Sequence, residues 1–327
     1  MVGLLALGCS DGGNAKNAST NAENADASAV SGSDAGSGPG TSDGAGSVVI
    51  DASPNADPDI AYSVTITMDT FTVQPGGEVY MCQDFANPFN GVQADIKSYE
   101  LHMAAGSHHM FAFYEPNATN TSVTKCPQGG LQFQPFTFAA QSRDVVQTFP
   151  EGVGATIPPT TGFTLNVHYL NPQPTPITSQ VVLTMYVAKP GVITQHAGVL
   201  FLNQGLLVVP PTGQPSTSTS TFTLPQDVNI ISSGSHMHQR ATAFTSTAST
   251  GETLFQTSEW AEPMPKPYAP PLALTAGTTI TWSCTYVNDT GATLTFGESA
   301  QTNVMCISIS TIYPVADVTN PVIAQQF

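Results

Sequence analysis

Positive charge is what this sequence has least of. Seven Lys and Arg stand against 23 Asp and Glu, a formal net charge of −16, and charged residues of either sign make up only 9% of the chain. A surface so poor in cations cannot neutralise a phosphate backbone or an anionic lipid layer, which argues against nucleic acid and leaves a lipid anchor as the only route to a membrane. After the first few residues there is no apolar run of the roughly 18–20 residues that a bilayer span needs. Missing too are C-x-x-C pairs, which removes the usual zinc and redox-cycling readings, and long stretches at helical period.

What is present reads as all-β. The chain has 28 Gly and 26 Pro, and short Val/Ile/Thr/Phe segments such as "YSVTITMDTFTV", "FTLNVHYL" and "TTITWSCTYVN" recur between turn signals such as "QPGGE" and "NDTGA". Strands at this spacing without helical crossovers imply antiparallel sandwiches. With 327 residues, two folding units are expected, because a single core seldom grows past about 250–300 residues. The expectation is two tandem antiparallel β-sandwich, jelly-roll-like domains, residues 60–190 and 191–327, divided near Lys189–Gly191 in "AKPGV". The low-complexity run "PSTSTSTFT" (Pro215 to Thr223) reads as a surface loop.

The start of the chain is a different material. "VGLLALG" ahead of Cys9 resembles the end of a bacterial lipoprotein signal (residues 1–9), in which Cys9 is lipidated. Residues 10–59 are dominated by Ala, Ser, Gly, Asn and Asp, a composition that buries too little apolar surface to offset ordering entropy, so they read as a disordered tether. Export to the cell envelope, or secretion, follows, and it changes the meaning of the cysteines. Cys82, Cys126, Cys284 and Cys306 remain once Cys9 is set aside, an even number that fits two disulfides. Three pairings are open, of which Cys82–Cys126 with Cys284–Cys306 keeps each bridge within one half.

Five of the seven histidines fall in three places. In "SGSHMHQRA", His236 and His238 stand at i and i+2, so a strand points both imidazoles to one face, where they can converge on an ion. In "GSHHM", His108 and His109 are adjacent; a strand would splay them to opposite faces unless a bulge redirects one. In "NVHYLNP", His168 sits in an apolar strand where an unpaired imidazole would be costly. "TNVMCIS" adds Met305, and thioether with imidazole favours copper over zinc. His102 and His196 read as structural or surface residues, Arg240 as a surface charge, and Tyr169 as core or cleft lining.

"SHHM", "VHY", "HMH" and "MC", in that order, resemble the copper type II, ascorbate-dependent monooxygenases, the family of peptidylglycine α-hydroxylating monooxygenase and dopamine β-monooxygenase. The resemblance spans about Tyr62 to Pro314 and extends to "YMC" at Cys82, "VVPP" before the H-x-H and "FGES" before Met305. It implies one copper on His108, His109 and His168 and a second, oxygen-activating copper on His236, His238 and Met305. It also implies the pairs Cys82–Cys126 and Cys284–Cys306, ascorbate or another one-electron reductant as co-substrate, and hydroxylation of a C–H bond with O₂. Where the peptide enzyme holds its substrate carboxylate with Arg, Asn and Tyr, this chain has Gly234, Ile307 and Ile309, so a small, uncharged substrate is expected; Asn166 stands where that enzyme has Gln. The alternative is a non-catalytic copper-binding or copper-sensing lipoprotein. A cupredoxin does not fit, because its copper needs a free thiolate.

Lipidation makes the first testable outcome. Cys9→Ser is expected to abolish incorporation of labelled fatty acid and release the protein from the membrane fraction; a variant that stays membrane-bound and labelled overturns the anchor.

Overall fold

The computed structural model describes residues 46–325 with the exceptions of 54 and 128–133. Cys9 and the tether up to residue 45 lie outside the described residues. Every regular element among the described residues is a strand, and no helix there is long and apolar enough to cross a membrane. The expected all-β fold is the observed one.

Alternation makes the layers. In Ile60–Thr67 (IAYSVTIT) the buried positions include Ile60, Val64 and Ile66, each two or four residues from the next, as a strand with one face on a core requires. That strand belongs to a sheet ordered Ser47–Asp51, Ile60–Thr67, Val181–Ala188, Ala94–Met103, Val153–Ile157, Gln195–His196. A five-stranded sheet faces it, ordered Thr124–Lys125, Glu78–Phe85, Thr161–Leu170, Ser107–Pro116, Phe136–Ala140. One apolar core joins the two, with Ile66, Leu101 and Leu183 meeting Phe163, Leu165 and Ala112.

The later strands repeat the plan. Lys266–Leu274, Val228–Met237, Cys306–Tyr313, Gly198–Asn203 and Val322–Gln325 form one sheet, and Pro215–Thr223, Thr279–Val287, Ala241–Ala248 and Thr253–Thr257 another. Between them lie Leu200, Leu202 and Ile230 against Phe244, Ile280 and Trp282. Among the described residues, ladders form within residues 47–196 or within 198–325, so the chain changes sheets at Ala197, slightly past Lys189–Gly191. All of these strands belong to one compact unit, Ser42–Phe327.

Two segments differ from the sequence expectation. Ser47–Asp51 (SVVID) was expected within the tether, yet it pairs antiparallel with Ile60–Thr67; its Val-Val-Ile run favours the extended chain. Pro215–Thr223 is no loop but a nine-residue strand paired along its length with Thr279–Val287. Thr217, Thr219, Thr221 and Thr223 are exposed while Ser218, Ser220 and Phe222 between them are half-buried, a mostly polar alternation that a hydrophobicity pattern barely reveals.

Both disulfides are formed, Cys82–Cys126 and Cys284–Cys306, which indicates folding in an oxidising, extracytoplasmic compartment. A third apolar cluster links the two sets of sheets: Phe111, Phe113 and Phe136 from the first meet Val199, Phe201, Met305 and Ile307 from the second. The Phe136 and Phe201 rings lie 5.8 Å apart at 80°, an edge-to-face geometry that aromatic quadrupoles favour. Phe201→Ala is expected to destabilise the fold by about 3–5 kcal/mol, read as a lower denaturation midpoint; an unchanged midpoint would show that this cluster contributes little.

Candidate metal centre

Two strands and the end of a third bring five histidines together. Ser107–Pro116 is buried from Ser107 to Tyr114, covered on both faces. It pairs with Thr161–Leu170 so that His109 stands opposite His168 and Ser107 opposite Tyr169, which leaves His108 as the extra residue of a β-bulge. The bulge frees the adjacent imidazoles from opposite faces, and their ring centroids lie 5.3 Å apart. His236 lies near the end of Val228–Met237 and His238 just beyond it, with ring centroids 5.2 Å apart.

The ligand-capable atoms of His108, His109 and His168 lie within 4.8 Å of one another, and so do those of His108, His236 and His238. His108 therefore belongs to both groups, whereas the family resemblance implies it in the first alone. Contacts across the sheets are as close as those within a group, with the His236 ring 4.9 Å from His108 and 5.0 Å from His109. Each of the five rings is buried, and each keeps a nitrogen without a hydrogen-bond partner: Nε2 of His108, His236 and His238, Nδ1 of His168, and both nitrogens of His109.

The opposite ring edges are held by residues that sequence reasoning missed. His168 Nε2 donates to Glu78 Oε1 at 2.9 Å. Gln141 Oε1 lies 3.0 Å from His236 Nδ1, and Gln141 Nε2 lies 3.3 Å from His108 Nδ1 and 3.0 Å from the Ala261 carbonyl. His238 Nδ1 approaches the Asn303 carbonyl at 3.3 Å. Tyr80 stacks on His168 with centroids 3.9 Å apart and donates its hydroxyl to the Glu298 carbonyl. No motif marks Glu78 or Gln141 in the sequence; the signal available for Glu78 was its place four residues before Cys82 on a strand due to pair with the His168 strand.

Burial makes all five imidazoles neutral. Desolvation, reinforced by neighbouring imidazoles, holds His108, His109 and His236 well below the ordinary histidine value, and His238 is pushed down to about 3 by burial and then by His168. For His168 burial also prevails, though the Glu78 carboxylate works against it. Burial opposes ionisation of Glu78, but hydrogen bonds from His168, Ser299 and Ala300 outweigh it and hold the carboxyl below its usual range. Neutral imidazoles are the form that binds metal; in His108 the lone pair lies on Nδ1, which accepts from Gln141 Nε2, so the unpartnered Nε2 carries the proton in the metal-free chain.

Met305 is buried in the apolar cluster with Phe111 and Phe201. His236 pairs with Ile307 and Met237 with Cys306, where that ladder ends, one residue after Met305. Beside His109 and His236 a cavity of about 80 Å³ is lined by Phe111, Gln141, Gly234 and Ile309 among others, with no Asp, Glu, Lys or Arg in its wall. Arg240 points elsewhere, to the Gln301 carbonyl and Asp289. His102 pairs with Asp144 at the surface and His196 with Thr156, both apart from the cluster. Tyr169 packs in the first core, and Asn166 reaches the sulfurs of Cys82 and Cys126 at 3.5 Å.

No protein-family model matches the chain, and no curated protein matches it. Solved structures resemble it weakly. The PBSX exported protein XepA is 7% identical with a TM-score of 0.20, over 76% of this chain and 86% of that one. PNGF-II is 8% identical with a TM-score of 0.23, over 81% and 64%, and the plant receptor-like kinase FER is 10% identical with a TM-score of 0.19, over 86% and 92%. Likenesses of this order carry no argument about chemistry.

The buried imidazoles set a pH dependence for the metal-free protein. An unfolded imidazole takes up its proton near the ordinary value of about 6.5, whereas the folded ones refuse it until lower pH, so the unfolded state binds more protons in between. Stability should be full above about pH 6.5 and fall as pH drops toward the depressed folded values, by up to about 1.4 kcal/mol per pH unit for each imidazole. Urea midpoints measured at about pH 7.5 and about pH 5 check this; equal midpoints would contradict neutral burial.

Proposed function

We propose that this chain is a copper-dependent monooxygenase, which hydroxylates a C–H bond of a small, uncharged molecule using O₂ and an external one-electron reductant such as ascorbate. The observation that carries the reading is the cluster of five buried, neutral imidazoles, each with an unpartnered nitrogen, whose ligand-capable atoms form two groups of three within 4.8 Å. Buried polar atoms without partners are costly and rare unless something binds them. A cluster of imidazoles with a buried thioether just ahead of the adjoining strand suits copper better than zinc, calcium or magnesium.

His108, His109 and His168 would hold one copper, and His236, His238 and Met305 the other, with His108 within reach of both groups. Copper bound there supplies one-electron storage and the reduction of O₂, so that two electrons and two protons convert C–H and O₂ to C–OH and water. The chain's own residues do the rest. Gln141 and the Asn303 carbonyl orient His236 and His238, fixing the ring edge that faces the cluster. Phe111, Phe136 and Phe201 close the apolar side and exclude water. Gly234 and Ile309 give the cavity a wall without a counter-ion, so a substrate carboxylate there would lose charge-assisted hydrogen bonds, whereas an apolar or aromatic molecule fits. Anchoring through Cys9 would set the enzyme at the cell envelope.

Reconstitution tests the reading. The protein is expected to take up two copper ions per chain, with a type 2 Cu(II) resonance and no intense blue thiolate band, and to hydroxylate uncharged aromatic substrates in an ascorbate-dependent reaction. Gly234→Arg, which sterics permit because an added Cβ would meet Pro265 only at 3.7 Å, should fill the cavity and lower kcat/KM for such substrates. A stoichiometry of one or none overturns the two-site reading. Two bound ions without turnover identify a copper-binding protein instead, and efficient oxidation of glycine-extended peptides overturns the substrate class.

A further inference from the structure

We infer that Glu78 is the positioning residue of the centre: its carboxylate decides which nitrogen His168 presents to the other histidines, and it fastens that imidazole to the turn leading to Asn303 and Met305. The inference deepens the copper reading and rests on it for its metal-binding consequences, but its structural core stands on the metal-free chain.

The carboxylate is almost enclosed. Its side chain is 16% exposed and that of His168 0%. Oε1 accepts from His168 Nε2 at 2.9 Å and from the Ala300 N–H at 2.6 Å, while Oε2 accepts from Ser299 Oγ at 2.6 Å. An ionised carboxylate only accepts, so the imidazole edge facing it must carry the proton, and the lone pair is left on Nδ1. That Nδ1 is the atom without a partner. A ring flip would set a lone pair or a C–H against the carboxylate, and the Tyr80 ring stacked at 3.9 Å and 14° leaves the imidazole little room to tilt.

Glu78 also reaches across the molecule. In the ladder Glu78 stands opposite Leu170 and Tyr80 opposite His168, so both side chains fall on the face that His168 occupies. Their other partners, Glu298, Ser299 and Ala300, lie more than two hundred residues later. That turn continues to Asn303, whose carbonyl orients His238. A single strand, Glu78–Phe85, thereby sets the tautomer of a histidine in one group and holds the segment that orients a histidine of the other.

Three variants separate positioning from mere fastening. Glu78→Ala removes the acceptor, Glu78→Gln keeps an acceptor and removes the charge, and Ser299→Ala loosens the turn while sparing the bond to His168. In copper competition against a chelator, Glu78→Ala is expected to weaken one of the two ions by about 10–100-fold and change its Cu(II) hyperfine splitting. Glu78→Gln should recover most of the affinity but shift the reduction potential, and Ser299→Ala should leave both ions as in the parent. Long-range ¹H–¹⁵N spectra of the metal-free parent protein should show His168 protonated at Nε2 and bare at Nδ1. A proton on Nδ1 overturns the inference whether or not copper binds. So do parental affinity and hyperfine splitting in Glu78→Ala, or a loss in Ser299→Ala equal to that in Glu78→Ala. If the parent takes up no copper yet holds the Nε2 proton, the copper reading fails while the Glu78–His168 arrangement stands.

Discussion

Everything at the centre of this protein depends on five imidazoles being kept neutral and dry. Removing an imidazole from water disfavours its charged form, and His108, His109, His168, His236 and His238 are all buried together. Neutrality leaves one nitrogen of each ring as donor and the other as acceptor. The fold therefore has to satisfy one edge of each ring from outside the cluster. Glu78, Gln141 and the Asn303 carbonyl do so for four of the five, and the other nitrogen of each of those rings has no partner.

Packing protects that arrangement from both sides. Phe111, Phe113 and Phe136 extend the His108 and Phe136 strands past the cluster and interlock with Val199, Phe201 and Ile307. Because apolar contact is non-directional, it can hold the two sets of sheets together without specifying their alignment. The polar ties supply alignment: Glu78 to Ser299 and Ala300, Tyr80 to Glu298, Gln141 to Ala261, and the Arg143–Glu262 ion pair at 3.1 Å. The exposed ion pair contributes little energy of its own, whereas the Glu78 bonds are largely shielded from water and correspondingly directional.

The scarcity of charge in the sequence carries through to the cavity beside the cluster. Its wall pairs Phe111, Ile309, Pro263 and Pro265 with uncharged polar groups such as Gln141 and Ser235. On the proposed function, such a wall selects by shape and apolar contact, and the reacting position is set by the cavity's adjacency to His109 and His236 rather than by a charged clamp.

The strand-forming segments, the evenness of the cysteine count and the geometry of the H-x-H pair follow from local rules, because pleat periodicity and turn chemistry act over a few residues. Those rules also stated what the adjacent His108 and His109 would require, and a bulge stands at that position. Pro215–Thr223 was misjudged because its partner strand, rather than its own composition, decides that the chain is extended, and Ser47–Asp51 because the polar composition around it masked its Val-Val-Ile run. Only the tertiary structure brought His108 within reach of both histidine groups and set Glu78 and Gln141 against rings 90 and 95 residues away. Such pairings arise from how sheets stack and register, a long-range outcome that no residue's neighbours in sequence encode.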